Sequence, residues 1–185
     1  MCHSLVGSEM CIRDRDGLPG WLRFDYSISK KWKVRVGLLS IGAFVSIFSG
    51  TFVSTTPGAN FGCGVDGLPD SWPLCNGKIV DSVEDVVAQS QIIHRWFVGL
   101  MLIALIFASY SISNELTENN VLRNWIWGST FLFFVNTSIG AIYVLSWDLE
   151  EGFFEFLSLV HLMMASLTFV TMAISWIGCS IAEDG

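Results

Sequence analysis

The sequence predicts an all-α integral membrane protein, an antiparallel four-helix transmembrane bundle with one long extracytoplasmic loop. Three observations predict it. Hydrophobic residues make up 52% of the 185 positions, with eight Trp and 14 Phe, and the mean hydropathy is +0.54. The apolar residues are gathered into four runs of about 20 residues, the length a helix needs to cross a bilayer. The basic residues between the runs are unevenly shared, which sets the orientation. The net charge of −7 leaves no basic patch to neutralise phosphates, so a nucleic-acid partner is excluded. Five cysteines are too few and too scattered for a disulfide-rich secreted scaffold.

Residues 1–15, MCHSLVGSEMCIRDR, have neither helical nor strand period. They resemble the translation of a sequencing adapter, so Cys2, His3 and Cys11 are set aside. After Met10 the next methionine is Met101, inside an apolar run, so a native start is expected upstream of Asp16. Residues 16–33 form a polar and aromatic flank that ends in Lys30, Lys31 and Lys33. The first span, 34–53, is charged only at Arg35. Within it Gly42, Ser46 and Gly50 recur at every fourth position, a stripe that lets a neighbouring helix approach closely. Residues 54–91 are a loop rich in Gly, Pro and Asp, and the second span is 92–110. A short polar turn leads to the third span, 125–146. An acidic turn at 148–151 leads to the fourth, 153–178, with Glu155 near its start, and 179–185 form a tail. The basic flank of span one and Arg123 share one side, whereas the other has only Lys78 and Arg95. The positive-inside rule places the N-terminus and the tail in the cytoplasm and 54–91 outside.

The chemistry centres on 90–100, SQIIHRWFVGL, where a polar segment gives way to an apolar run. His94 and Arg95 stand at that join, and an ionisable group at membrane depth is costly and points to function. Arg95 also suits a plainer role as a snorkelling side chain. His94, with no long stem, does not. In this topology spans two and four are parallel. At a rise of about 1.5 Å per residue, His94 and His161 then fall at nearly one depth, in the outer third of the bilayer. Two histidines on facing helices are a common way to hold a metal or haem in a bundle core. Each alone is equally well a satisfied core histidine.

The surroundings suit a flat ligand. Gln91 lies one turn before His94 on the same face. Ser158, Ala165 and Thr168 share the face of His161, and Asn136 and Gly140 form a small, polar face on the third span. Ordinary membrane helix packing also uses such small residues. Arg95 is placed to meet an anionic group such as a haem propionate.

The loop carries a resemblance. Gly50-x-x-Val53-x-x-Thr56-x-Gly58 is followed by Cys63, then Asp70-x-Trp72-Pro73-Leu74-Cys75-Asn76-Gly77, then Ile93-His94-Arg95 and, later, LVHLMMASLTF around His161. In combination these resemble the haem A synthase family of cytochrome oxidase assembly, in its four-helix form or as an N-terminal half. The resemblance covers 34 to about 178. It implies a membrane oxidoreductase that converts the C8 methyl of haem O to a formyl group, giving haem A for the terminal oxidase. It implies His94 and His161 as ligands of a haem iron, with haem b or haem O bound, and a disulfide between Cys63 and Cys75 on the oxidising face. It also implies a prokaryotic cytoplasmic membrane and an electron donor that the sequence does not specify.

Three departures from that family pattern stand in the chain. Gln91 occupies the position of a family Glu associated with the oxidation, and a Gln neither takes up a proton nor carries a charge. The segment 65–70, VDGLPD, widens the cysteine spacing. Only one half is present, and a bis-histidine iron has no open position, so substrate and cofactor haems require a homodimer or a missing second half. Two other readings are a haem-binding or electron-transfer protein without catalysis, which Gln91 suits, and a claudin-like structural four-span protein. The last explains Trp72, Cys63 and Cys75 but leaves both histidines idle.

Overall fold

The computed structural model describes residues 19–80, 86–115, 120–147 and 154–184. The segment 1–15 and the acidic turn 148–151 lie outside the described residues. Four helices carry the fold: α1, Tyr26–Thr55; α2, Val86–Glu115; α3, Val121–Leu145; and α4, Glu155–Asp184. Single 3-10 turns stand at Gly20–Leu22 and Ala59–Phe61. No strand occurs among the described residues. All four helices are long and apolar enough to cross a membrane, as in an integral membrane protein in contact with a lipid bilayer.

Each helix is longer than the span that hydropathy marks. α1, α2 and α4 have 30 residues each and so run about 45 Å, against about 30 Å of hydrocarbon. Apolarity marks what dissolves in lipid, whereas the helical ladder continues until something stops it. After α1 the stop is Pro57 followed by Gly58, whose φ of 78° is open to glycine and strained for most other residues. At the head of α3 the Asn120 side chain accepts from Leu122 N–H at 3.0 Å and caps the helix. At its foot the Ser146 hydroxyl donates to Tyr143 O at 2.7 Å and accepts from Phe154 N–H at 3.1 Å. The tail from 179 to 184 is helical, as is part of the expected polar turn, and Gln91 lies within α2 rather than in the loop.

α1 packs on α2, α2 on α3, α3 on α4 and α4 on α1, closing a ring in which α2 and α4 face each other across the centre. In lipid no hydrophobic force joins helices, so packing and hydrogen bonds hold them. Trp176 of α4 lies over Gly37 of α1, 3.0 Å from where a Cβ would stand. Ser109 and Thr130 pair at 2.8 Å between α2 and α3, and Ser129 donates to Thr171 at 2.9 Å between α3 and α4. At one end of the ring Glu115 accepts from Trp32 Nε1 at 2.9 Å and pairs with Lys31 at 3.2 Å and Arg35 at 3.6 Å. The buried apolar core runs from that end through Trp32, Leu105, Ile112 and Ile126 as far as Ala43, Met101 and Phe133.

The loop after α1 covers the opposite end. Cys63 and Cys75 form the disulfide that the family resemblance implied, and Cys179 is a buried free thiol. Asn60 donates to the Tyr143 hydroxyl at 3.2 Å. Phe61 meets Trp147 edge to face with centroids 4.8 Å apart. With the disulfide, Ala88 and Ile92 form a small second apolar cluster under this cap.

Candidate functional site

Between the main core and the cap lies a layer that contributes no member to either apolar cluster. His94 enters it from α2 and His161 from α4. Ser49 and Gly50 face it from α1, and Asn136 and Gly140 from α3. The two imidazoles lie within electrostatic reach of each other and of Arg95.

Hydrogen bonding at Nδ1 orients both rings. His94 Nδ1 is 2.9 Å from Ser49 Oγ. The Ser49 hydroxyl has one proton and also lies 2.8 Å from Ser46 O; both contacts are made at once when that proton goes to Ser46 O and Nδ1–H donates to Ser49 Oγ. His161 Nδ1 is 2.9 Å from Asn136 O, a carbonyl, which only accepts. Both neutral rings are therefore Nδ1–H tautomers with a lone pair on Nε2. Neither Nε2 meets a hydrogen-bond partner among the described residues. Holding one ring nitrogen so that the other can ligate is the usual support of a metal-binding histidine.

Glycine makes room for each ring. A Cβ at Gly50 would stand 3.1 Å from His94 Cε1, and one at Gly140 would stand 2.8 Å from His161 Cε1. The α1 stripe is explained in the same way: Met101 lies over Gly42, 2.8 Å from a virtual Cβ, and His94 lies two turns on over Gly50.

Gln91 and Arg95 serve the cap in this structure. Gln91, 5% exposed, donates from Nε2 to Ala59 O and accepts at Oε1 from Arg95 Nη2 at 2.5 Å. Arg95 Nη1 donates to Leu74 O at 2.6 Å. The pair thus pins the cap to α2 at two points, one ahead of the disulfide loop and one within it. The carboxamide of Gln91 uses a donor and an acceptor at once, which a carboxylate cannot do. Thr168 is buried with its hydroxyl returned to Met164 O at 2.9 Å, and Ser158 and Ala165 are partly buried. A groove of about 700 Å³ also opens between α1 and α2, lined by Leu38, Gly42, Leu100 and Ala104, but neither imidazole borders it.

The donor set discriminates between ligands. No third His, Cys, Asp or Glu gathers with the imidazoles among the described residues, and a bare divalent ion held by protein needs three or four such ligands. A planar chelate brings its own equatorial nitrogens and needs only two axial ones. A donor set of two imidazoles is thus the one a planar chelate such as haem would need, and it is short of what a bare ion takes from protein. No protein-family model, curated protein or solved structure matches the chain.

Proposed function

We propose that the chain holds a haem between Nε2 of His94 and Nε2 of His161. We propose further that it is a membrane oxidoreductase of haem A formation, oxidising the C8 methyl of haem O to a formyl group. The observation that carries the haem assignment is the pair of Nδ1-held imidazoles, offered from diagonal helices between the apolar core and the cap. The reaction rests on the loop and histidine motifs and requires a second haem site, from a second copy of the chain or from a second half. When bound, the haem supplies an iron centre for electron transfer. Ser49 and Asn136 hold the rings, and the disulfide cap keeps water from them. The second reading, a haem protein without catalysis, is favoured by Gln91, whose amide is engaged at both ends, with Ala59 and with Arg95.

The purified chain reconstituted with haem is expected to give the low-spin spectrum of a bis-imidazole iron. A free-haem spectrum would end the assignment. Expression in cells that lack their own synthase separates the two readings, because only the enzyme turns their haem O into haem A.

Gly140→Ala offers a sharper test of the site. The new methyl displaces the His161 ring, so haem affinity should fall by about 10–100-fold, the range for disturbing the support of a ligand. Helix propensity favours the alanine by about 1 kcal/mol, so the melting temperature should hold or rise. An unchanged spectrum and affinity would show that the ring is not held against Gly140.

The bundle is antiparallel in this proposal, supported by contacts of Trp32 with Glu115 at one end and Ser49 with His94 at the other. Its N-terminus is cytoplasmic by the positive-inside rule. A cysteine placed at Lys78 should react with a membrane-impermeant reagent from outside, and one placed at Ser113 should not. The reverse pattern would invert the orientation.

A further inference from the structure

We infer that the carboxamide of Asn136 reads an oxygen-bearing group on the C8 carbon of the bound haem, so that the site favours the oxidised haem over haem O. The inference rests on the reading given under Proposed function.

Asn136 stands in α3 at the level of the imidazoles. Its own carbonyl takes the His161 Nδ1 proton at 2.9 Å, and Gly140, one turn on, lies against the same ring. The face of α3 that carries Asn136 is therefore the face that meets the site. The residue is 6% exposed. Its Oδ1 is fully buried without a hydrogen bond, and neither end of the carboxamide has a partner among the described residues. Several buried hydroxyls of the bundle, by contrast, return their protons to their own helix. Ser40 bonds to Val36 O, Thr130 to Ile126 O, and Thr168 to Met164 O, each at 2.9 Å.

An unpaired amide between membrane helices is unfavourable, because no water is at hand to satisfy it. The cost is recovered when a polar atom enters with the ligand. The haems of the proposed reaction differ at one carbon. A methyl there offers no hydrogen bond, whereas a formyl oxygen accepts one from the amide N–H, and a hydroxymethyl group both accepts and donates. A half-turn about χ2 presents either end of the carboxamide. A buried polar group of this kind discriminates against the analogue that lacks its partner.

The test titrates the purified full chain with haem O and with haem A. The wild type should bind haem A about tenfold more tightly, the effect of one hydrogen bond. Its formyl stretch in resonance Raman should lie below that of haem A in an aprotic solvent. In Asn136→Leu the preference should vanish and the stretch should return to its free value, with both imidazoles still ligating. The haem-free variant should melt no lower than wild type, since an unpaired group has been removed. Equal affinities and a free formyl stretch in wild type overturn the inference, as does a preference unchanged in the variant, and the wild-type arm is decisive even without the variant. Binding of both haems without preference removes the inference and leaves the haem assignment standing. Binding of neither removes both.

Discussion

His161→Ala is expected to abolish low-spin haem binding, and His94→Ala to do the same. Each substitution takes away one of the two imidazoles proposed to hold the iron, and no third His, Cys, Asp or Glu gathers with them among the described residues. Changes to the groups that merely orient a ligand cost about 10–100-fold in affinity. Loss of the ligand itself should exceed that range and convert any residual complex to a five-coordinate, high-spin form. Ser49→Ala serves as the graded control. It frees the His94 Nδ1 proton from its acceptor and should weaken binding by about tenfold without changing spin state. None of these positions belongs to the apolar core that runs from Trp32 to Phe133, so helix content and melting should change little. A double variant at 94 and 161 that kept a full, unshifted low-spin spectrum would rule the ligand assignment out.

The four membrane helices were legible because apolarity over about 20 residues has few other meanings. Their ends were not. Hydropathy ceases to speak where side chains turn polar, yet the backbone ladder of α1 continues back to Tyr26 and that of α2 on to Glu115. His94, His161, Asn136 and Gly140 could be read as a group because helical periodicity and topology together fix depth and face. Ser49 could not, since its neighbours Ser46 and Gly50 form a stripe that serves packing anyway. Its contribution depends on where its single proton goes. Gln91 and Arg95 were legible as unusual, but not as cap contacts. Their partners, Ala59 O and Leu74 O, are backbone atoms 32 and 21 residues away, brought there by the path of the loop. No local pattern encodes that path. The disulfide came from resemblance to a family motif, and spacing alone did not specify it.

Opening the cap should have the second large effect. The Cys63–Cys75 bond closes a loop of sequence separation 12, and a closed loop of that size stabilises by about 3 kcal/mol in a chain-entropy estimate. A hydrogen bond from a charged group is worth about 1.5–3 kcal/mol, so the Arg95 contact with Leu74 O is of similar weight. The cap is otherwise tied down by Gln91 to Ala59 O and by Asn60 to Tyr143. Its own apolar cluster is small. Removing the disulfide by Cys63→Ala with Cys75→Ala should therefore loosen the cap as a unit and leave the ring of helices intact. In hydrogen exchange, the amides of Cys75 and Asn76, bonded to Lys78 O at 2.8 Å and Cys63 O at 3.3 Å, should lose protection by about 100-fold, the equivalent of roughly 3 kcal/mol. Amides from 105 to 112, in the core of α2, should keep theirs. Adding Arg95→Ala should increase the loss further, because both devices hold the same loop. With the cap open, water should reach the imidazole layer, and the haem proposed there should dissociate faster although His94 and His161 are unchanged. Unchanged exchange at 75 and 76 would show that the bond does not hold the cap. Equal loss of protection through α2 would show that cap and bundle are one cooperative unit.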